Sequence, residues 1–253
     1  VAALFVSCSD ETTDLLDEGN YVGVNSELYS GLWGCASTVA DVADQALILE
    51  ALRGNLLEPT ENAGTEVWNI WKYSDLNGNT LADPAGYYRV IMNVNDYVAH
   101  VDKYRKENPT ALNCEEKYGV TFDLYISTAI RYKVWAYMML AKIYGEAIYF
   151  DDPLSEYQDI AKYPKLGFDQ IIDKCLELMN TGMYGVDGKQ ITRWRTFLFP
   201  SITGENEGHM RYDRYQFTPQ CLLAELYLYK RDYHNAAINA MTEITLGGRT
   251  GGG

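Results

Sequence analysis

The sequence predicts an all-α chain of stacked helical hairpins interrupted by long inserted loops. Three observations point there. Apolar residues recur at three- and four-residue spacing in most segments, which lines them up on one face of a helix. No convincing series of strands appears. The stretch from Thr218 to Ile244 spells two short helices with their turn, and one hairpin cannot bury its own apolar face, so stacking partners are expected elsewhere in the chain.

That stretch is expected to organise the rest. Thr218 followed by Pro219 is a helix start: the hydroxyl accepts an orphan amide, and proline at the first helical position gives up no needed donor. Leu222, Leu223, Leu226 and Tyr227 form one stripe, and Lys230-Arg231-Asp232 breaks it. A second helix from Tyr233 carries Ala236, Ala237, Ala240, Met241 and Ile244 on its expected inner side. The run Ala224-Glu225-Leu226-Tyr227-Leu228-Tyr229-Lys230-Arg231-Asp232-Tyr233-His234-Asn235-Ala236 resembles a tetratricopeptide repeat, a helix-turn-helix unit of ~34 residues.

In chain order, residues 1–8 read as a signal-peptide remnant ending in a cysteine, 9–25 as a polar tether and 26–253 as the helical repeat domain. From Ser26 to Leu52 the inner positions are Leu28, Leu32, Val39, Ala43, Ala46 and Leu49, with Gly31 and Gly34 weighing against an unbroken helix. Arg53-Gly54-Asn55 stops it. Leu56 to Gly86 shows no helical period and reads as one long loop holding Trp68, Trp71 and Tyr73. Tyr88, Ile91, Asn95, Val98 and Val101 mark a helix that ends before Asn108-Pro109. Phe122 to Ile143 is apolar on nearly all sides and so is expected to be buried on nearly all sides, with Gly145 ending it and residues 147–153 leaving extended. Phe168, Ile171, Ile172, Cys175, Leu176 and Met179 make an amphipathic helix closed by Gly182, and 183–217 read as a second long loop.

Composition bounds the function. With 253 residues, 47% of them hydrophobic, the chain has material for a core. A net charge of −14 argues against nucleic acid or an anionic membrane surface as the partner, since either would be repelled. None of the five cysteines (Cys8, Cys35, Cys114, Cys175, Cys221) is paired at metal-ligand spacing, so neither a metal nor another cofactor is expected. Cys175 and Cys221 read as small buried hydrophobes. Cys8 follows Val1-Ala2-Ala3-Leu4-Phe5-Val6-Ser7, and apolar run, small residue, cysteine is similar to a bacterial lipoprotein processing site. Ser9-Asp10-Glu11 after it resembles a surface-export signal, and acyl chains on Cys8 would anchor the protein by burial of CH₂ groups.

Taken together, the start at Cys8, the run Ile130-Arg131-Tyr132-Lys133-Val134-Trp135-Ala136-Tyr137-Met138-Met139-Leu140-Ala141-Lys142-Ile143-Tyr144-Gly145 with its exit toward Pro153, the turn Ala51-Leu52-Arg53-Gly54-Asn55 and the late hairpin resemble the SusD/RagB family of outer-membrane nutrient-binding lipoproteins. The resemblance implies a SusD-like all-α fold and a lipid-anchored position on the cell surface. It also implies a non-catalytic role: a lid on a SusC-like TonB-dependent transporter that captures oligosaccharide or, in some members, oligopeptide. Such proteins are longer, so a further C-terminal part is expected.

Sugar rings offer CH faces that stack on aromatic side chains and hydroxyls that seek amide and charged partners. Trp68-Asn69-Ile70-Trp71-Lys72-Tyr73 supplies both within a short run, which makes Trp68, Asn69, Trp71 and Tyr73 the leading ligand candidates. Arg53, Asn55 and Asn62 are secondary polar contacts, and Trp194 between Arg193 and Arg195 is a lesser candidate. The run 75–83 alternates oxygen ligands partly like a calcium loop, yet Thr80 stands where the turn glycine belongs and Gly86 where the bidentate glutamate belongs. A helical glycoside hydrolase would need paired carboxylates such as Glu146, Asp151 or Asp152, but adjacent acids before a proline fit a solvated helix exit better. A plain repeat scaffold that binds basic peptides in an acidic groove is the third class.

Overall fold

The computed structural model describes residues 24–74, 76–108, 122–154, 157–185, 188–191 and 218–249. Among these the protein is all-α, with seven helices and one small two-stranded ribbon. The helices are α1 (Val24–Arg53), α2 (Thr65–Trp71), α3 (Ala85–Glu107), α4 (Phe122–Tyr144), α5 (Phe168–Met183), α6 (Pro219–Tyr229) and α7 (Tyr233–Arg249). The ribbon pairs β1 (Glu146–Ile148) antiparallel with β2 (Lys165–Gly167), placing Ala147 opposite Leu166. Strand β1 overlaps the stretch read from the sequence as merely extended, and β2 lies outside it. Each strand is too brief to show alternation.

The organising element is α4 rather than the α6–α7 hairpin. Helix α4 lies against α1, α3, α5 and α6, while α7 packs principally on α6. Eighteen of the 23 residues of α4 are buried, including Arg131 and Lys133. A helix apolar on all sides has no solvated face, so neighbours must enclose it. It stops at Gly145, whose φ of +76° is the left-handed conformation that glycine adopts without a Cβ clash.

Helix α1 is unbroken through Gly31 and Gly34. From Leu28 to Leu49 its buried apolar residues are Leu28, Leu32, Cys35, Val39, Val42, Ala46 and Leu49, an alternating four-three step that forms a continuous seam, with Leu52 buried beyond it. Cys35 and Val42 belong to that seam, whereas Ala43 lies half-buried at its border. The glycine at 31 serves the packing. A methyl there would stand 2.7 Å from the Tyr97 ring, whose hydroxyl donates to the Leu28 carbonyl at 2.9 Å. Helix α5 runs through Gly182 to Met183, so Gly182 does not end it; that glycine is buried against Ser127 and Ile130 of α4.

The late hairpin forms as its residues dictate. The Thr218 hydroxyl accepts the Cys221 amide at 3.2 Å, Arg231 takes the left-handed turn position at φ 60°, and Asp232 accepts the Asn235 amide at 3.1 Å to start α7. Only part of its expected inner face is buried. Ala236 is covered, but Ala237, Ala240, Met241 and Ile244 are exposed among the described residues, and Cys221 is exposed on α6. The 3.6-residue period reports which residues share a face. It does not report whether a neighbour covers that face.

Candidate functional site

The candidate ligand residues fall at the corner where α1 ends and α2 begins and ends. Leu56 to Gly86 is not a structureless loop. It contains α2 and a 3₁₀ turn at Thr80–Ala82 and builds a small core of its own from Leu49, Leu52, Ile70 and Ala82, with Trp71, Val67, Leu76 and Leu81 packed against it. Seven residues are too few to show a helical period, which is why the pattern was invisible. Glu66 holds this unit together: its carboxylate accepts the Thr80 amide at 2.9 Å and the Thr80 hydroxyl at 3.0 Å, while its carbonyl accepts the Asn79 side chain at 3.0 Å.

Those contacts also reassign the calcium-like run. Asn79 is buried, and its side-chain oxygen accepts the Leu81 amide at 3.0 Å; Asp83 accepts the Ala85 amide at 2.9 Å and so starts α3. These oxygens cap helix ends. Among the described residues no group of three or more histidine, cysteine or acidic side chains is placed to hold a metal ion, and Asp75 lies outside them.

Both helix ends at the corner close with a residue in the left-handed region. Asn55, at φ 54°, lets the Leu56 amide return to the Ala51 carbonyl at 2.8 Å, and Tyr73, at φ 56°, lets the Ser74 amide return to the Asn69 carbonyl at 2.9 Å. The stop read at Arg53-Gly54-Asn55 is therefore realised on Asn55. The two ends are tied to each other. The Tyr73 hydroxyl donates to the Arg53 carbonyl at 2.5 Å, and the Arg53 guanidinium lies 4.3 Å from the Tyr73 ring centre.

The structure thus joins Arg53 to Tyr73 and, separately, Trp68 to Trp71. The two indoles meet edge to face with ring centres 5.6 Å apart, and the Lys72 ammonium sits 4.9 Å from the Trp68 ring centre. Trp68, Asn69 and Trp71 are half-buried, Asn55 and Asn62 are exposed, and Tyr73 is 60% exposed. Leu56 and Leu57, which the sequence reading did not single out, follow Asn55 at 79% and 56% exposure. Their signal was an apolar pair directly after a helix stop. Cys8, residues 9–23 and Trp194 lie outside the described residues.

The acids weighed for hydrolysis are each engaged. Asp151 accepts the buried Lys133 ammonium at 2.6 Å and the Tyr149 hydroxyl at 2.9 Å, Asp152 accepts the Tyr163 hydroxyl at 2.7 Å, and Glu146 pairs with Lys165 across the ribbon. Burial lowers the Lys133 pKa, with Asp151 pulling it back up. Asn95 completes the group. Its amide oxygen accepts Lys133 at 2.5 Å, and its amide nitrogen donates to the carbonyls of Phe150 and Asp152 at 3.3 and 3.1 Å. This arrangement anchors the chain leaving α4.

A second polar group spans three helices. Burial alone would lower the pKa of Lys142 on α4, but its bonds to Glu50 on α1 and Glu225 on α6 outweigh that and raise it. Beside it lies a cleft of about 240 Å³ whose apolar wall is Trp135, Met138, Met139 and Leu222. Comparison with known protein families, curated proteins and solved structures returns no match to this chain.

Proposed function

We propose that this protein is a SusD/RagB-type nutrient-binding lipoprotein of the outer membrane, lipid-anchored through Cys8, which captures oligosaccharide at the cell surface and passes it to a SusC-like TonB-dependent transporter without catalysis. The observation that supports it most is the α1–α2 corner. An exposed aromatic ring with a guanidinium behind it, a pair of half-buried indoles and exposed amides at Asn55 and Asn62 are the complement of a sugar's apolar face and hydroxyl rim. The order of sequence features gives further support: the turn at Arg53, the enclosed helix ending at Tyr144-Gly145, and the hairpin of α6 and α7, read as one tetratricopeptide-like repeat.

Oligopeptide is the second reading, and a specific observation favours it. Leu56 and Leu57 stand exposed directly after Asn55, and apolar side chains of a peptide would cover them where a sugar would not. The net charge of −14 would draw basic peptides.

Isothermal titration of the 253-residue chain against neutral oligosaccharides and basic oligopeptides tests both. Saccharide binding lost in the Trp68→Ala, Trp71→Ala double variant supports glycan capture at this corner. Peptide binding alone, unchanged in that variant, moves the protein to the oligopeptide branch and returns the indoles to structure. Turnover of any glycan would overturn both.

A further inference from the structure

The aromatic rings at the α1–α2 corner are not equivalent. Trp71 belongs to the small core around Ile70, and Trp68 meets Trp71 edge to face and has the Lys72 ammonium over its ring. Tyr73 is 60% exposed, and its position is overdetermined: the hydroxyl is held by the Arg53 carbonyl, and the ring is backed by the Arg53 guanidinium. Its backbone sits at φ 56°, where a bulky side chain is disfavoured and glycine is not. Stopping α2 needs no ring at this position. A glycine would close the same turn with less strain, so the side chain has to be accounted for by what its ring does, and strain of this kind gathers at binding sites.

We infer that Tyr73 is the residue on which a sugar ring stacks, with Arg53 as the positioning residue that holds the tyrosine rather than as a ligand contact. The inference rests on the oligosaccharide reading above and narrows it to one platform. With the guanidinium on one side, the ring's remaining side is the one offered to ligand. A ring already pinned at its hydroxyl and its face loses little freedom when a pyranose settles on it, which is the advantage of a preorganised contact. The exposed Asn55, two residues from Arg53 and itself left-handed, lies close in the chain as an amide partner for ring hydroxyls.

The test measures affinity for three neutral probes, maltohexaose, laminarihexaose and xylohexaose, in the intact chain and in Tyr73→Gly, Tyr73→Phe, Arg53→Met and Arg53→Lys. Tyr73→Gly suits the backbone and should keep the fold while weakening binding roughly tenfold, the scale of one lost stacked ring. Tyr73→Phe, which keeps the ring but loses the pin at its hydroxyl, should weaken binding less than Tyr73→Gly does. Arg53→Met should weaken binding about threefold at an unchanged helical signal, and Arg53→Lys should restore it, since a cation behind the ring is retained. Nitration of Tyr73 by tetranitromethane, followed by peptide mapping, should slow at saturating probe. A probe bound equally by Tyr73→Gly but lost in the Trp68→Ala, Trp71→Ala variant overturns this inference and leaves glycan capture standing. Failure of all three probes to bind the intact chain sinks the oligosaccharide reading, and this inference with it.

Discussion

Raising the pH above 10 should unfold this protein steeply, and the structure sets the scale. Tyr87, Tyr132 and Tyr137 lie in the core at 0, 3 and 0% exposure, and burial pushes the pKa of each above the ordinary tyrosine value. In the unfolded chain they ionise near pH 10; in the folded chain they stay neutral. The unfolded state therefore binds fewer protons above pH 10, and stability falls as pH rises. Each such tyrosine costs about 1.4 kcal/mol one unit above its free pKa, so three cost about 4 kcal/mol at pH 11 and about 8 at pH 12. That is comparable to the whole stability of a typical domain, roughly 5–15 kcal/mol. Lys133 acts in the opposite sense, because its lowered pKa makes the unfolded state the better proton binder below about pH 10.5, but that gain levels off there while the tyrosine loss keeps growing. The buried thiols of Cys35 and Cys175, also pushed up by burial, add to the tyrosine loss and begin to act near pH 9. Urea unfolding at pH 8, 10 and 11, followed by helical circular dichroism, should therefore show stability already lower at pH 10 and sharply lower at 11. Equal midpoints at pH 8 and 11 would refute the reasoning. So would phenolate absorbance from all 21 tyrosines while the helical signal persists.

Two glycines three residues apart on α1 should respond with opposite signs. Gly34→Ala meets nothing within 4 Å and should stabilise the helix by about 0.5–1 kcal/mol, whereas Gly31→Ala drives a methyl to 2.7 Å from the pinned Tyr97 ring and should cost about 1–3 kcal/mol. Thermal melts of both variants decide it, and a stabilised Gly31→Ala would mean that the α1–α3 approach is looser than described. Asp151→Ala should cost about 1–2 kcal/mol, less than the usual penalty for breaking a buried pair because Asp151 is largely exposed while Lys133 is not. Amide exchange across 146–153 should accelerate in that variant, and unchanged protection would show that Asn95 alone anchors the exit.

What could be read along the chain was what local chemistry decides. Thr218-Pro219 opens α6 because hydroxyl and ring act on their own backbone, and Gly145 closes α4 because only a missing Cβ accepts its φ without strain. The enclosure of α4 followed from apolar residues on all its sides, since that pattern leaves no face for water. Short elements escaped. Helix α2 is two turns long, and its identity rests on Glu66 reaching Thr80 and on Ile70 entering a core with Leu49 and Leu52, contacts made across the fold. At the corner, the residue types Arg53, Trp68, Trp71 and Tyr73 were legible as stacking chemistry, but their division of labour was not. The run 68–73 offered Trp68, Trp71 and Tyr73 alike; packing committed Trp71 to a core and left Tyr73 in solvent over Arg53. The sequence by itself determined, to within a few residues, where the longer helices start and stop and which faces are apolar, because those depend on near neighbours in the chain. Tertiary structure alone decided which apolar faces are covered, which glycines are required by a neighbour and which of the corner's aromatic rings is exposed, because exposure is set by residues distant in sequence.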